Sequence, residues 1–337
     1  MNTIKRKKIW IITVLSLIML VLSACGSNSS KSPADNAAKD TKQTQKSTGK
    51  GTIRLGMVCG GITPLLAQIG INDGSFEKAG VHVEKVCFNA GSDAVQALVG
   101  GSIDVNLGSF EHILKLNNNG LSVKAYAELQ NGFGYSLMAK KDAKENSVKD
   151  LKGTTLAVTK PGTLSDSGLR MGLEKEGLDP ARDVKIIAGG SGSSMLASID
   201  GGNVAGGMIA EPAISQMLST GKYRVLYQPK FEYPGIIAMA KTDWVDKNKE
   251  TMKTFIQILE EKAKTKPEDA AKVMATEFKD YTPEVLTKAI ENQLSTVPEG
   301  LKITKPGVDA VNKVAIQLGI VNKEVPFEKT VDLSLLP

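Results

Sequence analysis

The clearest alternation of apolar and polar positions lies in residues 83–105, VEKVCFNAGSDAVQALVGGSIDV. Val83, Val86 and Phe88 mark a short strand and Asn89-Ala90-Gly91 a turn. Ser92 and Asp93 suit the cap and first turn of a helix. Ala94, Val95, Ala97 and Leu98 give that helix one apolar face. Gly100-Gly101 stops it, and Ile103-Asp104-Val105 begins the next strand. The unit returns at residues 184–209, VKIIAGGSGSSMLASIDGGNVAGGMI: Gly91-Ser92 falls on Gly192-Ser193, Val95 on Leu196, Leu98 on Ile199 and Gly101 on Gly202. The period is too long for a solenoid. It predicts two similar α/β lobes with a cleft between them, the kind of place where small ligands bind.

The remaining pattern extends this. Residues 52–58 read as a strand, with a helix opening at Pro64, a residue favoured at the first helical position. Residues 107–112 form another strand-to-helix junction, 123–129 a strand and 130–135 a crossing between lobes. In the second lobe, strands are predicted at 135–140, 155–158 and 224–227, with helices opening at Ser165 and at Glu211-Pro212. Pro234-Gly235 marks the return crossing, and the chain beyond Asp246 is mostly helical. Strands alternating with helices predict a doubly wound mixed sheet in each lobe. Residues 51–130 and 240–337 are assigned to the first lobe and 131–239 to the second.

Charge changes the picture little. The formal +6 leans on Lys5, Arg6, Lys7 and Lys8, which precede an apolar run over 9–22. Basic head, apolar core and small-residue end read as a signal peptide over residues 1–24, too short to span a membrane. Without it the chain is near neutral and offers no electrostatic case for nucleic acid. Residues 25–50 are polar, lack large apolar side chains and read as a flexible tether. Cys59 and Cys87 each end a predicted strand. An oxidising exterior admits a disulfide between them, but two buried thiols are the preferred reading. With only His82 and His112 and no CxxC spacing, no metal site is expected.

Ligands of open α/β sheets bind beyond the carboxyl ends of the strands. Here those ends are loops 59–64, 89–92, 108–111, 160–165, 189–193 and 210–212, rich in Gly, Ser and Thr. Helix N-termini there suit an anion. Lys160 is the one cation in these loops, while Glu111, Asp166 and Glu211 offer partners for an amine. Phe88, Phe110, Phe133 and Tyr135 offer faces for a small ring, although Phe on such strands is more often core. Enzyme motifs are missing: no phosphate loop, no dinucleotide fingerprint, no nucleophile elbow. Adjacent helical residues do not face each other, which removes Glu111–His112 as an acid–base pair. His112 is therefore read as a surface or capping residue.

The run GITPLLAQIGINDGSFEKAGVHVEKVCFNAGSDAVQALVGGSIDV at 61–105, with DLKGTTLAV at 150–158, PGT at 161–163 and AEP at 210–212, resembles the substrate-binding proteins of ABC importers of the nitrate/sulfonate/taurine type, a family that includes binders of thiamine pyrimidine precursors. The likeness covers residues 52–245. It implies a two-lobed periplasmic-binding protein type II fold that closes on a small-molecule solute and delivers it to a permease and its ATPase. It implies no catalysis and no cofactor. Leu22-Ser23-Ala24-Cys25 resembles a lipobox, implying an extracytoplasmic monomer anchored by a lipid on Cys25. The solute implied is a small organic anion such as a sulfonate or taurine, with a pyrimidine precursor or other small heterocycle as the alternative and a pyrimidine-synthesising relative as a remote one. Nitrate is least favoured, because it would leave the carboxylates without partners. Carried over, ligand contacts fall on Gly61, Ile62, Thr63, Pro64, Asn89, Gly91, Ser92, Ser109, Phe110, Glu111, Thr163, Ser165, Ser191, Ser193 and Glu211. Family members often place an aromatic residue before Glu-Pro; this chain has Ala210.

Overall fold

The computed structural model describes residues 51–230 and 232–337. The expected signal peptide, tether and Cys25 lie outside them. The chain builds two five-stranded sheets of matching order. The first contains β1 (Gly51–Val58), β2 (Val81–Phe88), β3 (Val105–Gly108) and β4 (Val123–Asn131). The second contains β5 (Tyr135–Lys140), β6 (Thr155–Val158), β7 (Lys185–Ala188), β8 (Gly206–Ala210) and β9 (Tyr223–Tyr227), before β10 (Pro234–Lys241) returns to the first. The orders are β2-β1-β3-β10-β4 and β7-β6-β8-β5-β9. In each, three parallel strands are followed by an antiparallel one, β10 or β5, that arrives from the other lobe.

Helices α1 (Leu65–Asn72), α2 (Ser75–Lys78), α3 (Gly91–Gly100) and α4 (Glu111–Asn118) belong to the first lobe; α5 (Leu164–Lys175), α6 (Ser193–Asp200) and α7 (Ala213–Ser219) belong to the second. The repeat seen in the sequence is β2-α3-β3 matched by β7-α6-β8. After β10 come α8 (Thr242–Lys247), α9 (Lys249–Ala263), α10 (Pro267–Met274), α11 (Pro283–Leu294), α12 (Lys305–Gln317) and α13 (Phe327–Thr330). Among the described residues no helix is long and apolar enough to cross a membrane.

The period-two alternation of strands builds the layers. In the second sheet Leu137, Leu156, Val158 and Met208 face one apolar layer, while Met138, Ala157 and Ile209 face the other. Leu65 and Ile69, one turn apart on α1, pack on Met274 of α10, Ile290 of α11 and Phe278 in the turn between them. Phe76 stacks on Phe255 at 5.1 Å. These contacts clamp the C-terminal helices onto the first lobe.

Two expectations are corrected here. The lobe boundary placed at 239/240 would cut through β10, whose pairing with β3 and β4 carries residues 234–239 into the first sheet. The cysteines are joined: β1 and β2 run parallel with Met57 opposite Cys87, which leaves Cys59 and Cys87 5.4 Å apart at Cα and bonded through sulfur. Cys87 is exposed and Cys59 half-buried, so neither fits a buried thiol.

Candidate functional site

The lobes meet across the carboxyl ends of their strands. Ile62 N–H donates to the Glu211 carbonyl at 3.0 Å, Ser191 Oγ–H to the Cys59 carbonyl at 3.4 Å, and Asn292 Nδ2 to Glu211 Oε1 at 3.0 Å. Lys160 pairs with Asp93 over the same gap. Two adjoining cavities lie behind these contacts. The larger encloses about 30 Å³ of space that a water-sized sphere can reach. Val58, Pro64, Leu107, Leu164, Ile236 and Tyr135 give it apolar walls; Thr63, Gly91, Ser109, His112, Thr159 and Thr163 supply its polar groups. The second shares Val58, Thr63, Tyr135 and Thr159 and extends past Gly60, Gly61, Ser191 and Gly192. Among the described residues that line either cavity there is no Lys, Arg, Asp or Glu.

Strand-to-helix junctions place these groups. Helices α1, α3, α4, α5 and α6 begin at residues of the cleft loops, and none of them has a side-chain cap. The first amides of a helix have no partner within it and carry the positive end of its dipole. Ser92 was expected to cap α3, but extended Ala90 occupies that position and Ser92 lies inside the helix. Its Oγ is buried and has no protein partner. Ser109 Oγ and His112 Nε2 share that condition.

His112 overturns the surface reading. It is only 6% exposed and lines the larger cavity, and a Cβ on Gly91 would stand 3.4 Å from its Nε2. Burial, aided by the charge of Lys115, lowers its pKa to about 4, so the ring is neutral at physiological pH. Burial likewise raises the Tyr135 phenol to about 12. The signal in the sequence was indirect: His112 is four residues past the β3 end, in the first turn of α4, where its ring lies beside Gly91.

The charged residues expected to hold a ligand have partners within the protein. Glu111 is buried and accepts the Tyr233 hydroxyl, and burial raises its pKa. Asp166 accepts from Arg170 Nε and the Gly162 amide, both at 2.8 Å. Glu211 accepts from the Ser215 amide and hydroxyl as well as from Asn292.

The other predicted contacts divide. Gly61, Thr63, Pro64, Gly91, Ser109, Thr163 and Ser191 line the cavities. Ile62 and Phe110 are fully buried in the core, and Phe133 stacks on Tyr233 at 4.4 Å. Ser165 is buried, bonded through Oγ to the Thr159 amide and hydroxyl. Asn89 and Ser193 are exposed and line neither cavity. Residues outside the predicted contacts complete the walls: Leu107, Thr159, Leu164 and Ile236.

A model of the NMT1-like family matches residues 48–277, well over half of the chain. The chain belongs to the NMT1-like family. Its relatives are distant in sequence. The YtlA protein of Bacillus subtilis (strain 168) is 23% identical over 288 residues, covering 77% of this chain and 81% of that one. A ligand-binding component of an ABC-type import system from Staphylococcus aureus is 18% identical with a TM-score of 0.70, covering 85% of this chain and 97% of that one. The alkanesulfonate-binding protein SsuA from Xanthomonas axonopodis pv. citri, bound to MOPS, is 18% identical with a TM-score of 0.69, covering 84% and 98%. These likenesses establish the two-lobed type II periplasmic-binding protein fold for this member of the family.

Proposed function

We propose that the protein is the solute-binding component of an ABC importer and that its solute is a small organic anion with an apolar body, of the sulfonate class. One observation carries the reading. An apolar cavity between two lobes gathers uncapped helix N-termini and unpaired hydroxyls at its polar end, with no cation in its lining. Such a cavity neutralises a delocalised anion with dipoles and hydrogen bonds. The structures named above support the same class, through a ligand-binding component of an import system and an alkanesulfonate-binding protein. Alkyl- and arylsulfonates fit better than taurine, because the carboxylates that would take its ammonium are engaged elsewhere. The protein would act as a monomer outside the cytoplasm, tethered by a lipid on Cys25, and pass the solute to a permease and its ATPase.

A second reading, a small neutral heterocycle, is favoured by Tyr135 and the neutral imidazole of His112 in the same apolar cavity. A thermal-shift screen of the purified protein against alkyl- and arylsulfonates, taurine, nitrate, bicarbonate and aminopyrimidines separates the two. A ligand at 100 times its Kd adds about 2.7 kcal/mol, a rise of about 5 °C for a chain of this size. A shift with sulfonates supports the proposal. A shift confined to pyrimidines refutes the anion and keeps the cavity.

A further inference from the structure

The two lobes present hydroxyls to the cavity in different states. On the second lobe Thr159 Oγ1 bonds Thr163 Oγ1 and Ser165 Oγ, each at 2.9 Å, and Thr163 Oγ1 donates to the Lys160 carbonyl at 2.8 Å. That set is satisfied within the protein. On the first lobe Ser92 Oγ, Ser109 Oγ and His112 Nε2 are buried and unpaired together. Ser109 and His112 line the cavity, and Gly91, which also lines it, leaves the space before Nε2 free of a side chain. Buried polar atoms seldom go without a partner, and here Ser109 Oγ and His112 Nε2, at the start of α4, lack one in the cavity wall, while Ser92 Oγ lacks one next to Gly91; Glu111 Oε2 lacks one too but does not line the cavity.

We propose that Ser92, Ser109 and His112 form a three-donor subsite for the head group of the solute, and that it selects a monoanion over a dianion. The inference rests on the anion-binding reading above and assigns the residues and the charge state that reading leaves open. Three neutral hydrogen-bond donors match the three oxygens of a sulfonate. They do not match a second charge: with no cation lining the cavity, a dianion keeps one charge buried and uncompensated. Lys160 is held by Asp93, and Lys115, whose charge acts on His112, does not line the cavity. The imidazole does not supply the missing charge near neutral pH, since burial holds it unprotonated. The satisfied hydroxyls of the second lobe then close over the apolar body of the ligand.

The test compares an alkylsulfonate with the alkylphosphonate of equal chain length, by calorimetric titration of the full-length protein. The sulfonate should bind alike at about pH 6 and about pH 8, while the phosphonate should weaken roughly two- to fivefold over that interval, as far as its second proton has left by the higher pH. His112→Leu should weaken the sulfonate roughly ten- to a hundredfold, with His112→Gln recovering most of the loss. Should the Leu variant fold poorly, ¹⁵N spectra of the wild-type imidazole serve instead: Nε2 should be the protonated nitrogen and should shift when sulfonate is added. Sulfonate binding that is undiminished in His112→Leu, or a wild-type Nε2 resonance that does not move, overturns the subsite alone. So does a phosphonate that binds as tightly at the higher pH. A wild-type protein that binds none of these anions overturns both the subsite and the proposed solute class.

Discussion

The disulfide at the mouth of the cleft has a calculable worth. It ties the ends of β1 and β2 across a sequence separation of 28. On the loop-closure argument, a link over that length removes denatured-state entropy equivalent to about 3.6 kcal/mol at 25 °C. For a chain of this size each kcal/mol moves the melting temperature by about 2 °C, so losing the link should cost about 7 °C. The perturbation is Cys59→Ser with Cys87→Ser, set beside the wild type treated with a phosphine reductant, which reaches the exposed Cys87. Thermal unfolding followed by circular dichroism reads the shift, and the alkylated mass before and after reduction confirms the state of the bond. Both routes should lower the transition by the same amount, because they remove the same link. A double variant that melts within a degree of wild type would refute the reasoning, since the loop would then be constrained by something other than its sulfur bridge. A reduced wild type that melts well below the variant would place the loss in thiol chemistry instead of chain entropy.

Other perturbations follow from buried groups and tight backbone. Burial and the charge of Glu232 raise the Glu128 carboxyl from 4.5 to about 8. Its contribution to stability is therefore complete below pH 4.5 and is lost as pH rises toward 8. Glu128→Gln should gain on wild type by up to about 5 kcal/mol at the alkaline end in urea unfolding, and parallel pH profiles would reject this. For His112 the folded pKa of about 4 lies below the ordinary 6.5, so stability is full above 6.5 and falls as pH drops toward 4. That drop should cost wild type about 3 kcal/mol more than His112→Gln, and an equal acid sensitivity in the two proteins would count against a buried neutral ring. At the return crossing, a Cβ on Gly235 would sit 1.8 Å from the Gly132 carbonyl oxygen. Gly235→Ala should lower the melting temperature by well over 5 °C or prevent folding, and a variant that melts like wild type would mean the crossing has room to move.

What the chain revealed by itself was local. The periodicity of residues 83–105 and its return at 184–209 correspond to β2-α3-β3 and β7-α6-β8, because apolar spacing and glycine stops are properties of neighbouring residues. The loops at the strand ends were legible for the same reason, and several of their residues line the cavity. What escaped depended on distant partners. Glu111 reads as a free carboxylate until Tyr233 is brought to it, and Glu211 until Asn292 arrives from α11. The cysteine bridge needed the register of β1 against β2, which spacing alone does not set. His112 was missed because its burial depends on groups distant in sequence, Gly91 at the start of α3 among them, and one helical turn of sequence does not report that.

The placement of β10 also sets the order in which the molecule can be completed. Residues 132–233 lie between the two crossings, and the strands of the second sheet come from that one uninterrupted stretch. The first sheet cannot close until residues 234–241 slot between β3 and β4. A chain emerging from its N-terminus therefore exposes the unpaired edge of β3 for as long as the whole second lobe takes to be made. The half that is synthesised first is finished last, and over that interval the nascent chain is open to wrong strand partners.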